Sequence, residues 1–193
     1  MSQTKDKIIH VLVDHIKQGN NLNDISLAQI AHAADIGKST VYEYFKNKED
    51  MISSTYAYLL SQYQNILLED IPMVDFKTAF TAQIKRILVV MSDAKSIMDA
   101  IMNIQLEGIP SLKIEHQRLM ETIQEQMNLR FTEIMQLGVK SGEINFNQIT
   151  PYTKHIIQAL ISGLLLQYVK KEMDLSDEGI CELIYEQVLK SMR

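Results

Sequence analysis

Between Leu27 and Lys48 the chain runs LAQIAHAADIGKSTVYEYFKNK, and no other stretch restricts the fold so tightly. Leu27, Ile30, Ala31 and Ala34 share one helical face, while Gln29 and His32 point away. After a short break, Val41, Tyr44 and Phe45 return to the same side. Two helices crossing at so tight a turn bring their backbones close, which calls for a small residue at Ala31 and an apolar plug at Ile36. The spacing predicts a helix-turn-helix with Lys38, Ser39, Thr40, Tyr42 and Glu43 on its open side. Asp35 falls in the turn where positive φ is expected, a conformation aspartate tolerates better than most residues. Gly37 is left to cap the second helix, a role glycine fills less well than serine or threonine.

An open helical face of this kind suits the major groove of a DNA duplex. Lys38, Lys46 and Lys48 bracket it and can meet phosphates on either side. The run ADIGKSTVYEYFKNKEDM resembles the signature of the tetracycline-repressor (TetR) family, in which a small turn leads into lysine, a small residue, threonine, an apolar residue and an aromatic run ending in phenylalanine. Lys38, Ser39, Thr40, Val41, Tyr42, Tyr44, Phe45 and Lys48 occupy the matching positions. Asp35 stands where such motifs usually carry glycine, and Gly37 where they carry serine or threonine. The signature spans about the first quarter of the chain; the rest is similar to the family in length and helical layout.

The DNA-facing residues are then Ser26, Lys38, Ser39, Thr40, Tyr42, Glu43, Tyr44 and Lys48. Lys38, Thr40, Tyr42, Tyr44 and Lys48 are assigned mainly to phosphates, and the resemblance supports Tyr42 and Lys48 best. Ser39 and Glu43 are candidates for base edges, since a glutamate accepts from a cytosine amino group and a hydroxyl pairs either way. Ser26 caps the first helix of the motif, and that N-terminus can also touch a phosphate. Bland readings stand beside these: Tyr44 also points toward the core, and Glu43 can be a solvated residue.

Outside the motif the pattern is helical throughout. Only three prolines and seven glycines interrupt 193 residues, and the β-branched alternation that strands require is absent, so the chain is expected to be all-α. A formal net charge of −5 excludes coating nucleic acid by bulk electrostatics and leaves placement of the lysines to do the binding. One cysteine, Cys181, precludes an internal disulfide, and neither a secretory leader nor a membrane span is expected; the cytoplasm is the expected location.

In chain order, Thr4 to Lys17 is an amphipathic helix, and Asn47 caps a long fourth helix running to Asp70. Phe76–Met91 and Asp93–Leu106 are expected as separate helices, with a break at Gly108 and Pro110. Ser111–Val139 follows, ending near Gly142 at the C′ position. Thr150 and Pro151 mark the start of a helix to Met173, and Ser176 caps the last one. The expected architecture has about nine helices: an N-terminal three-helix helix-turn-helix domain, 1–47, joined to a larger helical ligand-binding and dimerisation domain, 48–193.

The helix from Thr150 is apolar on more than one face, and a partner subunit is the economical cover for the second. Leu160, Ser162, Gly163 and Leu164, with Leu183 and Val188 from the last helix, are the dimer-interface candidates. The resemblance implies a small-molecule effector in the larger domain. Tyr63, Phe80, Met91, Met98, Met102, Met127, Phe131 and, with the other methionines, Met135 are candidates to line its pocket, for an apolar or amphipathic ligand, and ordinary core packing accounts for the same residues.

The function expected is a homodimeric transcriptional repressor that leaves a palindromic operator when ligand binds. The competing readings are an adaptor or activator controlled by a protein partner, and a helical enzyme. The five histidines show no metal-ligand spacing, and neither a nucleophile elbow nor a glycine-rich phosphate loop is present, so no catalytic residue, metal or cofactor is assigned.

Overall fold

The computed structural model describes residues 3–102 and 110–192, with side chains described for 3–94 and 117–192. Its helices are α1 (Gln3–Lys17), α2 (Leu27–Ala33), α3 (Lys38–Tyr44), α4 (Lys48–Leu68), α5 (Phe76–Met102), α6 (Pro110–Ser141), α7 (Thr153–Val169) and α8 (Asp177–Lys190). A 3-10 turn at Phe146–Gln148 lies between α6 and α7. The architecture is all-α, with eight α-helices among the described residues rather than nine. The difference is α5, which runs unbroken through the expected boundary at Ser92. Neither proline nor glycine stands inside it, and the weak helix formers Ser92 and Asp93 cost only a few tenths of a kcal/mol each, on the order of 0.5.

The chain divides into two compact units, Met1–Gln64 with Asp93–Thr122 and Asn65–Ser92 with Ile123–Arg193. In the first unit α1 buries Ile8, Ile9, Leu12 and Ile16 completely, and it packs on α2, which packs on α3. At the end of α1, Lys17 Nζ lies 3.0 Å from Asp93 Oδ1, while the Tyr63 hydroxyl donates to Asp93 Oδ2 at 3.1 Å. One carboxylate thus ties α1, α4 and α5 together, and it joins burial in pushing the Tyr63 phenol well above its ordinary value. Burial alone raises the neighbouring Tyr56, to about 12.

The second unit is built on Phe76, Phe80 and Ile84 of α5, Ile134 of α6, Ile161 and Leu165 of α7, and Ile180 and Ile184 of α8. Phe80 is wholly buried, with the rings of Phe76, Tyr185 and Phe131 at 5.5, 6.2 and 6.3 Å. Gly138 is small for a packing reason: a Cβ there would lie 2.5 Å from Ile144 Cδ1 and 3.0 Å from Phe76 Cγ. Gly142, at φ 76°, closes α6 in the left-handed region, as expected of a C′ glycine.

Helix α7 starts at Thr153 rather than at Pro151. Its approach is a turn held by hydroxyls, in which the Thr150 amide donates to Thr153 Oγ1 at 2.8 Å and the Tyr152 amide to Thr150 Oγ1 at 3.3 Å. It ends at Val169, short of the expected Met173, because Lys171 takes a φ of 61° that no α-helix continues. Ser176 caps α8 as the spacing predicts, accepting from the Gly179 amide at 3.1 Å.

Candidate nucleic-acid interface and apolar groove

The turns of the recognition motif are closed by bonds that span only a few residues. Ser26 and Gln29 form a reciprocal capping box: the Gln29 amide donates to Ser26 Oγ at 3.2 Å, and the Ser26 amide donates to Gln29 Oε1 at 2.8 Å. Asp35 adopts φ 53°, the left-handed conformation expected of the turn, and the Ile36 amide reaches back to the Ala31 carbonyl at 3.0 Å. Ala31 is buried, as the close crossing requires. Gly37 takes the N-cap position of α3 with extended φ and ψ and offers no side-chain bond, so nothing covers the first amides of α3 from that residue. Asn47 accepts from the Asp50 amide at 2.7 Å and caps α4, which starts at the next residue.

These constraints leave Lys38, Ser39, Tyr42 and Glu43 exposed on one side of α3, and Val41 buried on the other. Tyr42 stands 54% exposed, a large aromatic that the protein's own interior does not use. Thr40 and Tyr44 are half-buried at the edges of that face, and Ser26 is exposed at the start of α2. Phe45 closes the motif from below, with the Lys5 ammonium 5.3 Å from its ring centre.

Lys48 makes contacts that the sequence did not disclose. Its ammonium donates to the carbonyls of Asn23 and Ile25 at 2.6 and 2.8 Å, tying the start of α4 to the loop that leads into α2. Two of its three N–H groups are held this way, which fixes the chain on both sides of the motif.

In the second unit, α6, the 3-10 turn and the start of α7 enclose a groove of about 450 Å³. Phe131, Met135 and Val139 supply one wall and Phe146, Ile149 and Ile157 the other, with Lys140 and Lys154 at the rim. Of the residues expected to shape a pocket, Phe131 and Met135 are in this groove. Phe80 is in the core, Met91 packs against that core, Met127 Sδ accepts from Gln83 Nε2 at 3.5 Å, and Tyr63 is engaged with Asp93. The side chains of Met98 and Met102 lie outside the described residues.

Sequence reasoning missed Arg86 and Arg130, which grip the end of α4 and the two residues that follow it. Arg130 donates to the carbonyls of Leu68 and Glu69 at 3.0 and 2.6 Å, and Arg86 donates to those of Glu69 and Asp70 at 3.3 and 2.6 Å. Helix C-termini leave carbonyls unpaired, and two guanidinium groups here satisfy them while complementing the helix dipole. Arginines inside amphipathic helices, in a chain otherwise rich in lysine, were the available signal, and Arg86 and Arg130 are two of the three.

Among the dimer-interface candidates, Ser162 is exposed, and Leu160, Gly163, Leu164 and Leu183 are half-buried. Val188 is a correction: it is wholly buried within its own unit and presents no surface to a partner. The face that does stand open runs from Tyr152, at the N-cap of α7, through Ile156, Ala159 and Leu166, with the half-buried Gly163 between the last two and with Tyr152 at 71% and Ile156 at 54% exposure. A Cβ at Gly163 would meet nothing within 4 Å, so its own fold does not require glycine there.

A helix-turn-helix with an exposed recognition face, in a chain that is otherwise all helical, defines a DNA-binding regulator. The family model for bacterial regulatory proteins of the tetR family matches residues 20–55. Over 151 residues the chain is 31% identical to the fatty acid metabolism regulator protein of Bacillus subtilis, covering 75% of this chain and 74% of that one. The chain belongs to the TetR family of bacterial transcriptional regulators, a family of DNA-binding proteins and not of enzymes. Solved structures share the whole fold. The transcriptional regulator FadR from Bacillus subtilis, in complex with stearoyl-CoA, aligns with a TM-score of 0.58 at 17% identity, over 97% of this chain and 98% of that one. A TetR-family regulator from Streptomyces coelicolor aligns at 0.66 and 13% identity, over 96% and 79%. Among the described residues, no helix is long and apolar enough to cross a membrane.

Proposed function

We propose that the protein acts in the cytoplasm as a homodimeric repressor that holds a palindromic operator through two copies of α3 and leaves it when an amphipathic small molecule binds. The observation that carries this reading is the exposed face of α3, whose Lys38, Ser39, Tyr42 and Glu43 have no task inside the fold. Lys38 and Tyr42 meet phosphates, Ser39 and Glu43 reach base edges, and Lys48 acts chiefly by holding the motif's entry loop.

Dimerisation is supported by the open stripe on α7, which repeats at alternating four- and three-residue steps from Tyr152 to Leu166. Exposed apolar rows of this length call for cover, and Ala159 and Gly163 let a second helix approach closely. A twofold pair presents two recognition helices to successive major grooves, which requires a palindromic site.

The effector class is supported by the relative that regulates fatty acid metabolism and by the neighbour holding stearoyl-CoA. Release follows from population shift: a ligand that favours the dimer whose heads are spaced wrongly for DNA lowers operator affinity by its own preference for that state.

Selection of bound sequences from random duplex DNA, followed by titrations at several salt concentrations, tests the reading. A palindromic consensus whose affinity falls with salt is the expected result. Absence of enrichment at low salt would overturn it.

A further inference from the structure

We propose that the groove between α6 and α7 is a binding site for a single-chain amphiphile with an anionic head, and that Arg130 passes its occupancy to α4. The regulatory half rests on the ligand-release reading above; the binding half does not.

The chemistry of the walls narrows the ligand. Phe131, Met135, Val139 and Ile157 make an apolar bed in a groove of about 450 Å³, within the range of roughly 300–1,000 Å³ usual for small-molecule sites. Met135 adds an adaptable side chain suited to a flexible chain. Among the described residues that line the groove none is acidic, whereas Lys140 and Lys154 stand at its rim, one on each wall. Both lysines are exposed and neither takes part in an ion pair among the described residues. An apolar trough closed by two uncommitted cations matches a long hydrocarbon chain ending in carboxylate or phosphate. A neutral lipid would leave both lysines without a partner, and a cationic one would be repelled.

The groove also has an output. Asn128, Phe131 and Thr132 face it, and Arg130 projects from the opposite side of the same turn of α6. There the guanidinium holds the carbonyls of Leu68 and Glu69, and its Nη1 lies 3.5 Å from Oε1 of the buried Gln83. Gln83 in turn donates to the Leu67 carbonyl at 3.1 Å. Chain insertion that rotates α6 to widen the groove therefore moves Arg130, and with it the end of the helix that begins at the recognition motif. Arg130 is a positioning residue in this scheme and touches no ligand.

The test measures binding of palmitate, palmitoyl-CoA, hexadecanol and hexadecylamine to the full chain, together with operator affinity. Palmitate and palmitoyl-CoA are expected to bind and to weaken operator affinity at least tenfold, and their relative strength identifies the head. The double variant Lys140→Gln/Lys154→Gln should weaken both anions about tenfold and leave hexadecanol unchanged. Val139→Trp, or Gln136→Trp should the former fail to unfold cooperatively, should block all chains. Arg130→Lys should bind amphiphile as before yet lose the operator response. Anion binding unaffected by the lysine and tryptophan variants would overturn the site, as would failure of every amphiphile to bind. An intact operator response in Arg130→Lys would overturn the coupling. Groove binding that leaves operator affinity untouched would instead overturn the ligand-release reading and keep the site. A tryptophan variant that dissociates the dimer without affecting amphiphile binding would assign the groove to a second copy of the chain, against the proposal.

Discussion

The recognition motif at 26–48 and the groove at 128–158 are both surfaces open to solvent, but they are held by different kinds of interaction. In the motif each turn is closed by a bond across a few residues, Gln29 to Ser26, Ile36 to Ala31, Asp50 to Asn47. In the groove the walls come from separate helices whose spacing is set by residues behind them: Phe80 of α5 under Phe131, and Ile144 against Gly138. A surface held locally tolerates replacement of its exposed side chains, and one held by the core changes shape when that core changes.

The most severe test of this difference is Phe80→Ala. Removing a wholly buried ring that touches three others should cost about 3–5 kcal/mol of unfolding free energy and collapse the groove wall at Phe131. Chemical denaturation gives the first, and loss of amphiphile binding the second. Gly138→Ala should come next, at about 1–3 kcal/mol, because the added methyl overlaps Ile144 and Phe76 and the buried Ile144 has little room to retreat. A stability equal to that of the parent would show that the packing behind the groove is looser than its geometry.

Tyr42→Ala sharpens the contrast from the other side. Its ring is mostly exposed, so stability should change by less than about 0.5 kcal/mol while operator affinity falls about tenfold, or ~1.4 kcal/mol. A drop in both would mean that the recognition face is less independent of the fold than its local bonds imply. Ser26→Ala should cost about 1 kcal/mol, since it removes one half of the capping box, and denaturant titration at fixed temperature would read it.

The smallest effect belongs to Asp75, whose carboxylate accepts from the Thr78 amide at 2.8 Å and from the Thr78 hydroxyl at 2.7 Å at the start of α5. The amide bond above all, then the hydroxyl, holds its acid below the usual carboxylate range. A depressed folded value means that its contribution is complete at neutral pH and fades as the solution is acidified through that value. Asp75→Asn should therefore melt slightly below the parent at pH 7, with the gap closing as the solution is acidified below the ordinary carboxylate range. A gap that widened with acid would reverse the assignment.

Particular residues explain what was legible beforehand. Ser26, Asn47 and Ser176 were readable as caps because a cap is a relation between neighbours, and Asp35 as the turn because positive φ restricts residue type on the spot. Ser92 misled in the same local terms: it looked like a boundary, and nothing nearby says that α5 carries through it. Methionine-rich stretches put the expected pocket on the middle helices, and the groove of about 450 Å³ takes Phe131 and Met135 from one of them, α6, while its other wall comes from the 3-10 turn and α7, which those stretches did not mark. Lys48 showed its charge in the sequence and hid its carbonyl partners, which lie 25 and 23 residues away.

Helical periodicity, sparse prolines and glycines and the motif at Leu27–Lys48 determined by themselves an all-α regulator with a DNA-reading head, because each of these signals acts within a few turns of chain. The tertiary structure alone decided that Arg86 and Arg130 would clamp α4, that Val188 would be core and Ile156 surface, and that an apolar groove rimmed by Lys140 and Lys154 would open beside α7. Those outcomes depend on which helices meet and at what distance, and a linear pattern of apolar residues gives the face of each helix without naming its neighbour.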